Sequence, residues 1–400
     1  MFELKKVLCI IWSISLCFLV GCSTTSPSPS SGVNASVSSS PSPVTEAPVS
    51  SSPSSLESSP SPTQEVEPLP SPSSQSSFAI PSLEPLPAPL FPEDSPAALH
   101  GALHIEGRQL MDVHNEPFQL RGVSTHGIQW FGAFINENAF KHLKEDWQVN
   151  VIRLAMYTDS DSGYFQDPIG LQQLLQKGIT IASKLGLYVI VDWHILSDGN
   201  PNKHIDEATA FFDAFSRLYK NYPNVLFELC NEPNGSDVDW DGEIKPYAEK
   251  ILTCIRANDN QAVAIVGTPT WSQNILAAAR NPLEDPNCLY ALHFYASTHT
   301  VTLRTYLQSA YEKYNLPLIV SEFGTCEATG DGFINFEECN QWLELINDRN
   351  ISWINWSLCN KAESSALLKP SASVTGPWAE EDLTESGAYI KALLLETNEK

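Results

Sequence analysis

A regular alternation of two kinds of segment, running from residue 118 to residue 394, limits the fold of this chain more than any other feature. Short apolar runs of strand length alternate with longer stretches in which apolar residues recur at helical spacing. Eight such runs predict an α/β fold, the closed (β/α)8 or TIM barrel. The predicted strands are 118–123, 151–154, 188–191, 225–229, 263–266, 289–292, 318–320 and 352–355, and helical spacing is clear in 171–185, 208–219, 244–256, 303–314, 337–346 and 386–394.

The competing arrangement is an open, doubly wound sheet. It is disfavoured because no glycine-rich phosphate-binding segment follows the first predicted strand. Before that strand, residues 103–105 and 109–112 flank a Gly107-Arg108 turn and predict a β-hairpin. We expect this N-terminal hairpin to cover the bottom of the barrel.

The N-terminus has the features of an export signal. Two lysines precede an apolar run at 7–20, which is too short to span a bilayer comfortably. The run ends in Leu19-Val20-Gly21-Cys22, which resembles a bacterial lipobox, the motif whose cysteine is lipidated and becomes the new N-terminus. We therefore predict residues 1–21 as a lipoprotein signal peptide and Cys22 as the lipidation site. An ordinary secretory signal with an unrelated cysteine is the alternative.

Serine and proline dominate residues 22–97, and no Lys or Arg occurs between Cys22 and Arg108. Such a segment buries too little apolar surface to fold, so we predict a disordered linker there and a folded domain at 98–400. At about 3.1 Å per residue, this linker reaches on the order of 200 Å when fully extended. These features predict an extracellular protein that contacts the bacterial membrane only through its lipid. A passive spacer is the simpler interpretation of the linker.

The net charge and the cysteine content disfavour several kinds of binding partner and a metal site. The formal net charge of −24 disfavours nucleic acid and anionic lipid surfaces, whereas a neutral polymer is compatible with it. The predicted domain has no CxxC pair and no histidine at zinc-site spacing, so we predict no metal site. Its cysteines are expected to be mostly buried free thiols, although export permits disulfides. They are Cys230, Cys254, Cys288, Cys326, Cys339 and Cys359.

Residues 327–338 partly match a calcium-loop pattern, with glycine at its sixth position and glutamate at its twelfth. Glu327 at the first position and Thr329 at the third fit the pattern poorly. We favour a loop followed by a helix, with Asn335 as its N-cap and Glu338 as the capping-box partner.

Polar and aromatic side chains concentrate where the predicted strands end. Active sites of such barrels lie at the carboxyl ends of the strands, so this clustering predicts one site there. The residues, in chain order, are His126, Trp130, Arg153, Tyr157, Asp192, His194, Asn231, Glu232, Trp271, His293, Tyr295, Glu322, Asn355 and Trp356.

Two of these residues, Glu232 and Glu322, have the chemistry that glycosidic bond cleavage requires. The reaction needs a proton for the leaving oxygen and stabilisation of an oxocarbenium-like carbon, and a pair of carboxyl groups supplies both. The two glutamates end the fourth and seventh predicted strands. These strands lie across the barrel mouth from each other, so the side chains can converge on one bond.

The segments around both glutamates resemble the signatures of glycoside hydrolase family 5, and its bacterial endoglucanase branch matches best. Residues 229–233 read Leu-Cys-Asn-Glu-Pro and residues 319–324 read Ile-Val-Ser-Glu-Phe-Gly. The resemblance extends over nearly all of 103–396. Phe323 is a departure, because tryptophan is frequent there in the family. Further matching segments are 122–130, 153–158, 192–196 and 355–358.

The resemblance implies Glu232 as the acid/base and Glu322 as the nucleophile of a retaining mechanism. It implies that Asn231 holds the sugar 2-hydroxyl and that His293 lies near Glu232. It further implies that Arg153 and Tyr295 hydrogen-bond Glu322 and keep it ionised.

The resemblance also implies a set of substrate-binding residues. His126 and His194 would bind hydroxyls of the sugar being cleaved, and Trp356 would stack under it. Trp130 would stack under the next sugar, where Lys361 and Glu363 would bind hydroxyls. Trp271 would stack on the leaving-group side, and Tyr157 is a further contact candidate.

These observations together predict a retaining endo-β-1,4-glucanase, or cellulase, that needs no cofactor, binds β-1,4-glucan and is a monomer. A β-mannanase or xyloglucanase on the same scaffold is the alternative within this class. A non-catalytic glucan-binding surface protein is a second alternative, disfavoured because both glutamates and their supporting residues are present.

Overall fold

Eight parallel strands close into a barrel in chain order in the computed structural model, which describes residues 84–396. The last strand pairs with the first, which excludes the open sheet and confirms the predicted TIM barrel. An antiparallel hairpin precedes them. The hairpin strands are β1 (His104–Glu106) and β2 (Gln109–Met111), and the barrel strands are β3 (Arg121–Thr125), β4 (Val151–Tyr157), β5 (Tyr188–His194), β6 (Val225–Glu228), β7 (Ala264–Val266), β8 (Cys288–Tyr295), β9 (Leu318–Gly324) and β10 (Ser352–Leu358).

Helices follow the strands and cover the outside of the barrel, where amphipathic faces pack on the apolar outward positions of the sheet. A π-helical turn precedes the sixth helix and another follows the ninth. The helices are α1 (Pro96–His100), α2 (Ile128–Phe131), α3 (Glu137–Asp146), α4 (Pro168–Leu185), α5 (Ile205–Leu218), α6 (Lys245–Ala257), α7 (Pro269–Ser272), α8 (Ile275–Arg280), α9 (Val301–Gln308), α10 (Phe336–Asn347) and α11 (Glu385–Glu396).

The hairpin packs against the lower end of the barrel interior, as predicted. Leu103 and Leu110 belong to a buried apolar cluster with inward-facing residues of the barrel strands, including Ile190 and Ile265. Residues 118–120, predicted as the start of the first strand, contribute to this cluster instead. The strand itself begins at Arg121, where parallel pairing begins.

The folded unit begins earlier than the predicted boundary at residue 98. Leu86 N–H donates to Leu218 O at 2.9 Å, and Ala97 N–H donates to Gly186 O at 2.9 Å. Gly186 ends α4 with φ +69°, and a Cβ at this position would clash with the buried Ser95. The segment therefore packs on the barrel despite its proline content. The predicted signal peptide, Cys22 and the greater part of the predicted linker lie outside the described residues.

The predicted helix start at Asn335 is only half right. Asn335 Oδ1 accepts a hydrogen bond from Glu338 N–H at 3.1 Å, which makes it the N-cap of α10. The reciprocal bond of a capping box is absent, because Asn335 N–H donates to Thr325 O at 2.9 Å. The Glu338 carboxylate instead forms an ion pair with Arg304.

All six cysteines within residues 84–396 are free thiols, and all but Cys254 are buried. None of the helices in the described part of the chain is long and apolar enough to cross a lipid bilayer.

Candidate active site

The strand ends enclose a cleft that contains nearly all of the predicted site residues. Its walls include every predicted substrate-binding residue, namely His126, Trp130, Tyr157, His194, Trp271, Trp356, Lys361 and Glu363. Glu232, Glu322, His293 and Tyr295 also line it. Arg153 and Asn231 are buried, and their side chains contact the residues of its floor.

The two candidate catalytic carboxyl groups face each other across this cleft. Carboxylate oxygens of Glu232 and Glu322 and a ring nitrogen of His293 all lie within 4.8 Å of one another. Such a separation matches the spacing of about 5–5.5 Å in retaining glycosidases, and it is shorter than the roughly 6.5–9.5 Å that inverting enzymes need for a water molecule. The same three groups could ligate a metal ion, but each already has a hydrogen-bond partner within the protein.

Arg153 lies at the centre of the floor and is fully buried. Its guanidinium contacts Glu322 Oε2 at 3.2 Å, Glu228 Oε2 at 2.6 Å and Asp192 Oδ2 at 3.0 Å. Burial lowers the pKa of the Arg153 guanidinium, but the three carboxylates raise it above its usual range. One cation thus holds three buried carboxyl groups together, and it also donates to Asn231 Oδ1 at 2.6 Å.

Glu322 receives both of the predicted hydrogen bonds. Tyr295 Oη donates to Glu322 Oε1 at 2.8 Å, and Arg153 Nη1 donates to Oε2 at 3.2 Å. Burial raises the pKa of Glu322, and the nearby His293 and Arg153 oppose this rise. Both donors favour a carboxylate with its orientation fixed, which is the form a nucleophile requires.

Glu232 has a different environment. Burial raises its pKa to about 8, although Arg153 opposes the rise. Its Oε1 lies 2.9 Å from Nδ1 of His293, so the predicted proximity of these residues is confirmed. Burial also lowers the pKa of His293 to about 4, which keeps the imidazole neutral at neutral pH. Two carboxyl groups with different environments are the arrangement that separates an acid from a nucleophile.

Ser321 and Glu228, for which no role was predicted, extend the hydrogen-bond network from His293 into the barrel. Ser321 Oγ lies 2.9 Å from His293 Nε2 and donates to Glu228 Oε1 at 2.7 Å. Both residues are fully buried. The signal that could have identified Glu228 is its position as the one charged residue of an otherwise apolar strand, β6.

Asn231 and His194 form a second internal network. His194 Nδ1 lies 2.6 Å from Asp192 Oδ2, and its Nε2 lies 3.2 Å from Asn231 Nδ2. The Asn231 amide also donates to Ile195 O at 3.1 Å. Burial raises the pKa of Asp192 to about 7, and Arg153 opposes this effect. The predicted contacts of Asn231 and His194 with sugar hydroxyls remain predictions.

One wall of the cleft combines an exposed aromatic face with an ion pair between the exposed Lys361 and the largely covered carboxylate of Glu363. Trp130 is 45% exposed, and its ring centroid lies 5.0 Å from that of Tyr157. Lys361 Nζ lies 2.5 Å from Glu363 Oε2. Gly127 N–H donates to His126 Nδ1 at 2.7 Å, so the neutral ring carries its hydrogen on Nε2, which faces Glu363 at 3.6 Å.

Trp271 forms the opposite wall, after the strand β7. It is 45% exposed, and Thr270, Trp271 and Ser272 all have positive φ values, of 62°, 53° and 55°. Such backbone is costly for residues other than glycine and persists only where contacts hold it. Here Trp271 N–H donates to Pro233 O at 3.1 Å, and Ser272 Oγ donates to the Asn231 carbonyl at 2.7 Å. The segment that carries Trp271 is thereby tied to the segment that carries Glu232.

Further cleft residues were not predicted. They are Leu196, Gln273, His299, Ala328, Thr329 and Gly330, which lie outside the barrel strands.

Comparison with known proteins agrees with this geometry. Residues 111–362 match the family model described as cellulase (glycosyl hydrolase family 5). The chain belongs to glycosyl hydrolase family 5.

Individual endoglucanases are similar to this chain over 70% or more of its length. Endoglucanase A of Evansella cellulosilytica is 48% identical over 282 residues, which cover 70% of this chain and 57% of that protein. Endoglucanase N of Pectobacterium atrosepticum is 46% identical over 74% of this chain and 66% of its own length. The catalytic domain of Thermobifida fusca endoglucanase Cel5A (E5) superimposes with a TM-score of 0.72 at 38% identity, covering 75% of this chain and 99% of that domain. This family 5 chain thus spans 57–66% of the length of these two curated relatives.

Proposed function

We propose that this family 5 chain is a retaining endo-β-1,4-glucanase that hydrolyses internal bonds of β-1,4-glucan by double displacement. The observation that carries the proposal is the carboxyl pair. Oxygens of Glu232 and Glu322 lie within 4.8 Å of each other, which is shorter than the roughly 6.5–9.5 Å that inverting enzymes keep to place a water beside the sugar. The two groups also differ in the way that the two roles require.

In the first half of the reaction, Glu322 Oε attacks the anomeric carbon as the glycosidic C–O bond breaks. The Glu232 proton passes to the leaving oxygen, which becomes a hydroxyl of the released chain. Arg153 and Tyr295 keep the Glu322 carboxylate ionised and aimed. The product of this half-reaction is a glycosyl ester on Glu322.

In the second half, a water oxygen attacks the same carbon and transfers a proton to the Glu232 carboxylate. The ester bond breaks, and its electron pair returns to Glu322. Two inversions give net retention. Because Glu232 must begin protonated and burial raises its pKa to about 8, activity should fall as pH rises through that value.

The substrate is inferred from the cleft and from the relatives. Stacking on sugar faces requires exposed aromatic rings, and Trp130 and Trp271 are each 45% exposed on opposite walls. A variant of the Thermobifida fusca catalytic domain, 37% identical to this chain with a TM-score of 0.70, was solved with cellotetraose. β-Mannan and xyloglucan are the competing substrates.

Product stereochemistry and substrate choice test the proposal together. We expect reducing-end release from carboxymethylcellulose to exceed release from mannan and xyloglucan, and proton NMR to show the β-anomer first. The Glu322→Gln variant, which keeps the size of the side chain, is the matched control and should release nothing. Initial release of the α-anomer would overturn the retaining mechanism. Greater activity on mannan or xyloglucan would overturn the substrate.

We further propose that lipidated Cys22 anchors the enzyme outside the cell and that the catalytic domain acts as a monomer. The support is the Leu19-Val20-Gly21-Cys22 motif and the Ser/Pro-rich segment after it. Labelled fatty acid should enter the wild type but not Cys22→Ala, with Cys254→Ala as the control. An unlabelled wild type would refute the anchor. Sedimentation of the domain as a dimer would refute the monomer.

A further inference from the structure

A row of three hydrogen bonds joins Glu228, deep in the barrel, to Glu232 in the cleft. Ser321 Oγ lies 2.7 Å from Glu228 Oε1, His293 Nε2 lies 2.9 Å from Ser321 Oγ, and His293 Nδ1 lies 2.9 Å from Glu232 Oε1. Glu228, Ser321 and His293 are all buried. Neither Glu228 nor Ser321 contacts the reacting atoms in either half of the proposed reaction.

The hydrogen positions along this row follow from which groups can donate. Burial raises the pKa of Glu228, whereas Arg153 opposes this rise because its Nε donates to the other oxygen at 2.6 Å, and this charge-assisted bond favours the ionised carboxylate. An ionised carboxylate only accepts, so the single hydroxyl hydrogen of Ser321 points at Glu228. Ser321 must then accept from the other side, which requires a hydrogen on His293 Nε2.

A neutral imidazole carries one hydrogen, so His293 Nδ1 is left as an acceptor. Only the protonated form of Glu232 can donate to it. We propose that Glu228 and Ser321 are positioning residues that fix His293 as its Nε2–H tautomer and thereby keep the catalytic proton on Glu232. This inference rests on the proposed role of Glu232 as the acid/base.

The same arrangement serves the second half of the reaction. After Glu232 has given up its proton, its carboxylate faces the lone pair of Nδ1. This contact disfavours the ionised form and promotes recovery of a proton from the attacking water. The opposite tautomer would donate to the carboxylate and weaken it as a base.

Other ionisable groups also act on Glu232 and His293, and substitution of Ser321 leaves all of them in place. They are Arg153 and Tyr157 of β4, Asp192 and His194 of β5, Tyr295 of β8, His299 after β8, and Glu322 of β9.

The direct test is nitrogen-15 NMR of the wild-type histidine rings near pH 6, with the His293 signals assigned by their loss in His293→Gln. We expect a protonated Nε2 and an unprotonated Nδ1. A protonated Nδ1 would overturn the proposal whether or not any variant folds. Wild-type protein that hydrolyses no β-1,4-glucan would instead refute the proposed function, because the NMR result does not depend on turnover.

The second test is the pH dependence of kcat/KM, whose basic limb reports the acid of the free enzyme. In Ser321→Ala, the Nε2–H of His293 loses its acceptor, so the population of the Nδ1–H tautomer, which donates to Glu232, should increase. That bond stabilises the Glu232 carboxylate, and the basic limb should therefore move about one pH unit lower. Ser321→Thr retains the hydroxyl and should keep the wild-type limb. Ser386→Ala removes a buried serine outside the cleft and is the matched control. A lower rate in Ser321→Ala with an unmoved limb would show a merely structural role.

Discussion

The lower and upper halves of the barrel interior differ in chemistry although the same strands build both. In β5, Ile190 lies in the lower apolar cluster, and Asp192, two residues further on, contacts Arg153. In β6, Leu226 and Glu228 repeat this change. Alternate residues of a strand face the same side, so one step of two residues separates an apolar layer from a charged one.

This difference separates what stabilises the barrel from what performs chemistry. Burial of apolar side chains in the lower half is favourable in proportion to the area removed from water. The upper half buries one guanidinium with three carboxyl groups, and desolvation of charges offsets much of their attraction. We therefore expect substitutions in the upper half to reduce activity more than stability, and substitutions in the lower half to reduce stability more than activity.

The largest effect is expected for Glu322→Ala in the upper half. Turnover should fall by roughly 10⁴–10⁶-fold on every substrate, because no ester can form. The free energy of unfolding should stay the same or rise, since one of three carboxyl groups around a single cation is removed. Kinetics and urea denaturation measure the two quantities. Added azide should give an α-glycosyl azide here and a β-glycosyl azide with Glu232→Ala, and the reverse pattern would exchange the assigned roles.

Arg153→Met should lower both the activity and the free energy of unfolding. Removing the cation leaves buried carboxyl groups unpaired, so the protein should lose about 3–5 kcal/mol of stability as well as activity. The loss should be smaller at pH 5 than at pH 7, because the pKa of Asp192 is already raised to about 7 and rises further without the cation, so that the buried carboxyl groups take up protons as the pH falls through this range. Urea denaturation at pH 5 and pH 7 gives this comparison. Equal losses at the two pH values would show that Arg153 acts through packing alone.

Ile265→Ala in the lower half should cost about 2–5 kcal/mol of stability through lost burial and a cavity. Its kcat/KM at temperatures well below unfolding should match the wild type, because Ile265 lies in the bottom cluster and outside the cleft. A large change in kcat/KM would mean that the two halves are mechanically coupled.

The smallest effect is expected for Trp130→Ala at the rim of the cleft. Loss of one stacking surface should weaken glucan binding by about 1–3 kcal/mol, mainly through KM, with little change in stability. Ile169→Ala is the control, because Ile169 is 71% exposed and does not line the cleft. Unchanged kinetics on long glucans would reassign Trp130 to packing against Tyr157.

Much of this protein could be predicted from its sequence because the decisive patterns are local. The period of the apolar residues identifies each strand and helix, and parallel strands that alternate with helices have few ways to close. Polar residues at strand ends must meet at one face of the barrel. Glu232, Glu322 and the other strand-end residues could therefore be predicted without coordinates, whereas the places of Lys361 and Glu363 were implied only by the family resemblance.

What depends on contacts between distant segments was decided by the tertiary structure. The folded unit starts before the predicted residue 98 because the backbone N–H of Leu86 donates to the carbonyl of Leu218. The capping box at Asn335 failed because Thr325 and Arg304 offered competing partners. Glu228 had no predicted role because its proposed positioning role depends on contacts in a network with Ser321, His293 and Arg153, each of which lies on a different strand. The sequence determines which groups reach the barrel mouth, whereas their protonation depends on burial and on distances between atoms far apart along the chain.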